Sequence, residues 1–286
     1  SQDGAMAASP AGERADFVPK MIATDIDGTM LRSDGSLSNR VRSALHQAVE
    51  AGIHVVPATG RPEMVATDVI EALGLGEYWV FANGAMTRNL STDELVRGYW
   101  MSPVVAQGLI VEMRDAFPGA RFAIELEGGM AYEPGFEEIV PNTPPVGPID
   151  DILDGLPTTD EEGHRVQKVL VFDPDRSIDE LHAAVSATLG DHGVPSYSGL
   201  RFIEVAASLV TKALALDALC VDLEIDVADV AAFGDNHNDV AMLEWAGQGY
   251  AMANATDDAK DAAGTIIHNN NDDGLALKIE QFLARR

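Results

Sequence analysis

Cationic side chains are what this sequence has least of: 19 Lys and Arg stand against 46 Asp and Glu, a formal net charge of -27 at pH 7. A surface of that sign repels polyanions, which argues against nucleic acid and anionic membrane as partners. An anionic small molecule would need metal, cations or backbone amides gathered locally against that field. There is one cysteine, Cys220, so no intrachain disulfide can form and a reducing compartment suits the chain. Cys220 sits in the apolar helical run 213–221 with no electropositive neighbour, which predicts a buried structural thiol rather than a nucleophile. No stretch reaches the ~18 uncharged apolar residues of a membrane span, and the start lacks the basic and apolar blocks of a signal peptide. A cytoplasmic protein is expected. Internal repeats and low-complexity tracts are missing too.

What is present is ordinary globular material in more than one domain's length. The 286 residues are 46% hydrophobic and 23% charged, and ~100–150 residues is typical of one domain, so two domains are expected. Residues 1–16 are small and polar and read as a disordered leader or expression remnant, with Met6 as a natural start. From Met21 the chain alternates short apolar strands with helices: 21–23, a helix capped by Ser38 and closed by Gly52, 53–58, a helix from Pro62 to Leu73, and 78–82. That rhythm calls for a parallel sheet with right-handed crossovers. After Asn83-Gly84-Ala85 it gives way to hairpin-like stretches, a helix near 104–117, Gly/Pro-rich turns over 128–148, a strand at 167–172, a helix near 178–189 and a strand at 201–205. The βαβ rhythm returns with 230–233, a helix from about Asn238, 250–253, 265–267 and an amphipathic helix over 273–284 expected to pack on the sheet. The expected fold is α/β, a Rossmann-like doubly wound parallel sheet formed by 17–86 and 208–286, with an inserted α+β domain at 87–207.

Two acidic signatures, Asp25-Ile26-Asp27-Gly28-Thr29 and Gly234-Asp235-Asn236-His237-Asn238-Asp239, each follow an apolar run that reads as a buried strand. Carboxylates at the carboxyl ends of parallel strands lie in the crevice where open α/β sheets bind ligands, and clustered there they repel one another unless a hard cation joins them. Mg²⁺ and phosphoryl transfer are the chemistry this pattern suggests.

The first signature resembles motif I of the haloacid dehalogenase superfamily and the second its motif IV. Pro57-Ala58-Thr59-Gly60-Arg61-Pro62 resembles motif II of the Cof-type branch, and Lys212 falls where motif III is expected. Asn83-Gly84-Ala85, Ala241-Met242-Leu243 and Ala251-Met252-Ala253-Asn254-Ala255 are similar to that branch as well. The insertion at 87–207 holds the place of a type 2 (IIB) cap, which would exclude water and set specificity. Motif III departs from the family pattern, with Ala213 where a glycine usually follows the lysine and no proline shortly before it.

The resemblance implies a role for each matching residue. Asp25 is the nucleophile that forms an aspartyl-phosphate, and Asp27 is the general acid and base. Mg²⁺ is held by the Asp25 and Asp235 carboxylates and the main-chain carbonyl of Asp27, a ligand set that suits Mg²⁺ better than Ca²⁺. The Ile26 amide, Thr59, Gly60, Lys212 and Asn238 bind phosphate, with Lys212 also neutralising Asp25, while Asp239 orients metal-bound water or Lys212. His237 reads as a loop residue, Arg61 as mainly structural, and His164, His182 and His192 as surface positions; 125–132 is the cap segment to watch for substrate. The implied activity is Mg²⁺-dependent hydrolysis of small phosphomonoesters such as sugar phosphates or nucleotide- and riboflavin-pathway phosphates.

Four other readings share parts of this pattern. A phosphomutase would use the same chemistry and differ in water access to the aspartyl-phosphate. A non-catalytic binding protein on the same fold has no reason to keep mutually repelling carboxylates together. A response-regulator-like receiver lacks both the Asp-x-Asp signature and the large insertion, and a dehalogenase needs neither Asp27 nor a metal.

Overall fold

The computed structural model describes residues 12–140, 147, 149, 150, 154 and 165–286. Along the chain run β1 (Met21–Thr24), α1 (Asn39–Glu50), β2 (His54–Pro57), α2 (Thr67–Leu73), β3 (Tyr78–Phe81), β4 (Met86–Asn89), β5 (Glu94–Gly98), α3 (Pro103–Ala116), β6 (Arg121–Leu126) and β7 (Gly129–Tyr132). Next come β8 (Val166–Phe172), α4 (Ile178–Leu189), β9 (Gly193–Ser196), β10 (Ile203–Ala207), α5 (Lys212–Asp222), β11 (Val230–Gly234), α6 (Val240–Trp245), β12 (Gln248–Met252), α7 (Asp257–Ala262), β13 (Thr265–Ile267) and α8 (Gly274–Ala284). Contacts divide the chain into two compact units, one from the described part of Ser1–Pro57 with Leu219–Arg286 and one from Ala58–Ala218.

The first unit is an α/β layer built on a five-stranded parallel sheet in the order β13-β12-β11-β1-β2. Parallel neighbours need crossovers, and α1, α6 and α7 supply them between β1 and β2, β11 and β12, and β12 and β13. β1, β11 and β12 are buried along their whole length, which is why they read as continuous apolar runs rather than alternating ones. Ser38 caps α1 as predicted, its Oγ accepting from the Val41 amide at 3.1 Å. The closing helix α8 packs on α1 and drives Phe282 into Phe17 and Tyr250, each 5.8 Å away between ring centroids. Truncating Phe282 to Ala would cost ~3–5 kcal/mol. Cys220 is buried beside Met21, Sγ to Sδ 3.8 Å, as a structural thiol should be.

The expected disorder of residues 1–16 does not extend to Glu13, which bonds to Lys278 at 2.9 Å and Arg285 at 3.0 Å and accepts from the Tyr250 hydroxyl. Burial pushes its carboxyl up, but those partners outweigh burial and hold it below the usual carboxylate range. Residues 1–11 lie outside the described residues.

The second unit carries two antiparallel sheets, β3-β4-β5 and β7-β6-β8-β10-β9. On the larger sheet one face buries Phe122, Ile124, Val169, Val171, Ile203 and Val205 against α3 and α4, while the opposite face packs Ala123, Leu170 and Phe202 on Phe136. The strand expected as the third of the parallel sheet behaves differently from its prediction. β3 pairs antiparallel with β4 and meets the segment after β2 through a single parallel bridge, Ala58 to Val80. The reason is the reversal that follows: Ala82, Asn83 and Gly84 all take positive φ (53°, 57° and 103°), turning the chain straight back on itself. The helix expected from Pro62 is likewise interrupted, with a 3₁₀ turn at Glu63–Val65 and α2 beginning only after Ala66. A 3₁₀ turn at His237–Asp239 stands where the helix from Asn238 was expected, and α6 starts at Val240.

Candidate active site

β1 and β11 are adjacent and in register, Thr24 opposite Phe233, so Asp25 and Asp235 leave the sheet at the same end. The Asp25 amide continues the ladder by donating to the Phe233 carbonyl at 3.0 Å. β1 lies between β2, reached by one crossover, and the β11-β12-β13 half, so this is the point where the strand order switches direction. The turn Ile26–Met30 that follows is closed by Leu31 donating to the Ile26 carbonyl at 3.0 Å and depends on Gly28 at φ +76°. A Cβ on Gly28 would overlap the Asp235 carboxylate, so glycine is required both by conformation and by this close approach.

Asp25, Asp235 and Asp239 are all buried, and one carboxylate oxygen from each lies within 4.8 Å of the others. Thr29 Oγ1 donates to Asp235 Oδ1 at 2.9 Å. Asp239 is the third residue of a capped 3₁₀ turn, and its Oδ2 accepts from the amides of Asp235 at 2.9 Å and Asn236 at 3.1 Å. Those amides aim the Asp239 carboxylate at the same point as the other two, where the sequence reading had placed it one step removed from the metal. Asn254, in the Ala251–Ala255 stretch, donates to the Gly28 carbonyl at 2.9 Å, and the Asp235 carbonyl accepts from the Thr256 amide at 2.9 Å, so the segment after β12 braces both loops at the same end of the sheet. Three buried carboxyl groups with an oxygen each at one point are a donor set that fits a hard divalent cation, with a hydroxyl on Asp235 and two backbone amides on Asp239 among the groups that hold them. Ile26 is fully buried and Asn238 is buried next to Asp239, whereas the Asp27 side chain is exposed beside the cluster and does not contribute its carboxylate to it.

In the second unit Thr59 is buried and its backbone is fixed on both sides, donating to Val80 at 2.9 Å and accepting from Asn83 at 3.0 Å. Its Oγ1 accepts from the Arg61 amide at 3.0 Å. The Gly60 carbonyl accepts from Lys168 Nζ at 2.6 Å, and that ammonium also bonds Glu204 at 2.6 Å and pairs with Glu125 at 3.4 Å. Lys212 is the first residue of α5 and is fully buried, not a solvent-facing lysine at a helix start. Gly84 explains the Asn83-Gly84-Ala85 motif, since a Cβ there would overlap the Thr211 carbonyl just before Lys212. Leu209, 79% exposed, takes φ +66° in the turn before Lys212, a conformation that costs an L-residue ~1–2 kcal/mol.

Arg61 serves structure as expected, donating to the Val65 carbonyl at 3.1 Å and pairing with Asp68 at 3.3 Å. His192 is exposed, and His182, on α4, is half-buried against Tyr197 and bonds the Pro195 carbonyl at 3.2 Å, so it ties the helix to β9. His164 lies outside the described residues. The residues that sequence reasoning did not reach are Lys168 and Glu204, and of Glu125 only its segment was singled out. The available signal was a charged residue in the middle of each apolar strand, Val166-Gln167-Lys168-Val169-Leu170 above all.

Residues 22–279 match the family of haloacid dehalogenase-like hydrolases. The chain belongs to that family. Among its relatives in Bacillus subtilis (strain 168), YxeH is 28% identical over 283 residues, covering 92% of this chain and 98% of that protein. The phosphatase YcsE, named for 5-amino-6-(5-phospho-D-ribitylamino)uracil, is 27% identical over 293 residues, covering 95% and 98%. The solved structure of BT4131, a sugar phosphatase of haloacid dehalogenase subclass IIB, superposes with a TM-score of 0.78 over 92% of this chain and 98% of that one, at 20% identity, a likeness of fold. The haloacid dehalogenase-like hydrolase described here is therefore a phosphatase of the Cof-like branch, with a parallel-sheet α/β core and antiparallel sheets of the cap type. No helix among the described residues is long and apolar enough to cross a membrane.

Proposed function

We propose that this phosphatase hydrolyses small phosphomonoesters through an aspartyl-phosphate on Asp25, with Mg²⁺ as cofactor. The observation that carries the reading is the buried Asp25, Asp235 and Asp239 cluster at the carboxyl ends of two adjacent parallel strands. Asp25 and Asp235, with the Asp27 main-chain carbonyl, are the residues that would hold the metal, and the position of Asp239 adds it to that group. Bound there, the cation offsets repulsion between a carboxylate nucleophile and a phosphate dianion.

Asp25 attacks phosphorus and the ester oxygen leaves with a proton from Asp27; Asp27 then takes a proton from the water that releases inorganic phosphate. The exposed position of Asp27 suits a group that must exchange protons with leaving group and water in turn. The Ile26 amide, Thr59, Gly60, Asn238 and Lys212 are the proposed phosphate-binding groups, and 87–207 the proposed cap. Phosphorylated sugars and polyols are the favoured substrate class, supported by the phosphorylated ribityl chain in the name of YcsE.

The test is phosphate release from a panel of sugar phosphates, nucleotides and flavin-pathway phosphates, with Mg²⁺ or EDTA, beside Asp25→Asn. Turnover that needs Mg²⁺ and is lost by at least about 10³-fold in the variant is expected. An active Asp25→Asn removes the nucleophile assignment, and conversion of a sugar phosphate to its isomer without phosphate release would make the enzyme a mutase.

A further inference from the structure

The Lys168 ammonium is a buried cation that the proposed chemistry does not use. It projects from the middle of β8, 1% exposed, onto the sheet face away from α3 and α4. Glu125 lies directly opposite it on β6, and Glu204 lies diagonally on β10. Its contacts are Glu204 Oε1 at 2.6 Å, Glu125 Oε2 at 3.4 Å and the Gly60 carbonyl at 2.6 Å, one for each N–H.

Stability does not account for this arrangement. A buried ion pair is roughly matched or bettered by apolar side chains of the same volume, and the rest of this sheet face is already apolar, with Ala123, Leu170 and Phe202. The network is also incomplete, because Glu125 Oε1 and Glu204 Oε2 are buried without a hydrogen-bond partner among the described residues, and a half-satisfied buried network costs more than none. Burial pushes the Glu125 carboxyl up to about 7 despite Lys168 beside it.

The third contact gives the cation a purpose. The Gly60 carbonyl and the Arg61 N–H are the two ends of one peptide plane, and the structure holds both, the carbonyl by Lys168 and the N–H by Thr59 Oγ1 at 3.0 Å. Glycine sets little barrier to rotating that plane, so an outside anchor decides which way it faces. With the N–H turned toward Thr59, the hydroxyl oxygen is occupied as an acceptor and its own proton is directed elsewhere, free to be donated. A flipped plane would offer Thr59 a carbonyl instead and draw that proton inward.

We propose that Lys168, aimed by Glu125 and Glu204, is a positioning residue that locks the Gly60–Arg61 peptide and thereby keeps the Thr59 hydroxyl a donor for phosphate. This rests on the phosphate-binding role given to Thr59 above. The test is a double-mutant cycle of Lys168→Met and Thr59→Ala. It is read by kcat/KM for p-nitrophenyl phosphate, by calorimetric binding of inorganic phosphate in the presence of Mg²⁺, and by Mn²⁺ affinity as a probe of the carboxylate cluster. Lys168→Met is expected to lower kcat/KM by about 10–100-fold, the usual effect of removing an orienting partner. Phosphate binding should weaken with it while Mn²⁺ affinity is unchanged. In the Thr59→Ala background the same change should cost less than about twofold, because the group it acts through is gone. Wild-type behaviour of Lys168→Met, or an undiminished loss without Thr59, overturns the proposal.

Should Lys168→Met lose the wild-type circular dichroism, Glu204→Gln replaces it in the cycle, keeping the lysine and removing its shortest partner. A wild-type protein with no turnover but normal phosphate binding would sink the hydrolytic reading alone, leaving the binding cycle to judge Lys168. Absence of both would sink the two together.

Discussion

Each of the two units buries a cluster of three ionisable side chains, and the two are built on opposite plans. Asp25, Asp235 and Asp239 are all acidic and stand beyond the ends of parallel strands, with Asp235 accepting from the Thr29 hydroxyl and Asp239 from two backbone amides. Glu125, Lys168 and Glu204 mix charges, stand in the middle of antiparallel strands, and are aimed at one another. The difference teaches what each cluster is for. A group of carboxylates whose oxygens converge on one point is a donor set for a cation, whereas a lysine set between two glutamates acts on what its third contact touches, here the Gly60 carbonyl.

The comparison predicts where substitutions should strike chemistry and where they should strike geometry. The largest effect in this set is expected from Asp27→Asn, which leaves the acidic cluster whole but removes the proton carrier: kcat should fall ~10²–10⁴-fold with metal affinity unchanged. An unaltered rate would mean that another group moves the proton. Asp239→Asn should weaken Mg²⁺ binding by ~10–100-fold in a metal titration of activity. If the titration curve does not move, Asp239 serves the capped turn alone and the cluster is a pair.

Lys212→Ala should cost more than about tenfold in kcat/KM, roughly 1.4 kcal/mol of barrier. A smaller loss in a protein of normal fold would take this buried lysine away from the phosphate. The gentlest probe is Glu125→Gln, read by melting temperature against pH. The Glu125 carboxyl is raised in the folded protein to about 7 from an ordinary 4.5, so the folded state binds the extra proton. Its contribution is therefore complete below about 4.5 and lost as pH rises through 7. The wild type should lose melting temperature between pH 5.5 and pH 8, and the variant should lose less; equal losses would show that Glu125 does not titrate in that window.

Much of the acidic cluster was legible because it is local. Asp25 and Asp27, and Asp235 through Asp239, each sit in one short stretch after an apolar run, and parallel strands that start new crossovers leave such residues at a common end whatever the side chains between them. Ser38 as a cap and Cys220 as a buried thiol were legible for the same reason, being settled by residues within a turn or two. The β3 strand was not. Its apolar run says strand, but its partner depends on the reversal at Ala82–Gly84, where Asn83 and Gly84 suit the left-handed region and Ala82, which does not, takes it as well. Nor was burial of Lys212 legible, since a lysine opening a helix ordinarily faces water.

By itself the sequence determined the family, the order of strands and helices along the parallel-sheet unit, and the identity of the carboxylates at its strand ends. These follow from motifs and apolar runs, which act over a few residues. Tertiary structure alone decided that Asp239 joins Asp25 and Asp235, that Tyr78–Phe81 turns to an antiparallel partner, and that Lys168 reaches Gly60, 108 residues away along the chain. The physical reason is register: in an antiparallel sheet a slip of one residue sends every side chain to the other face, and pairing across such distances, not local pattern, sets which face Lys168, Glu125 and Glu204 share.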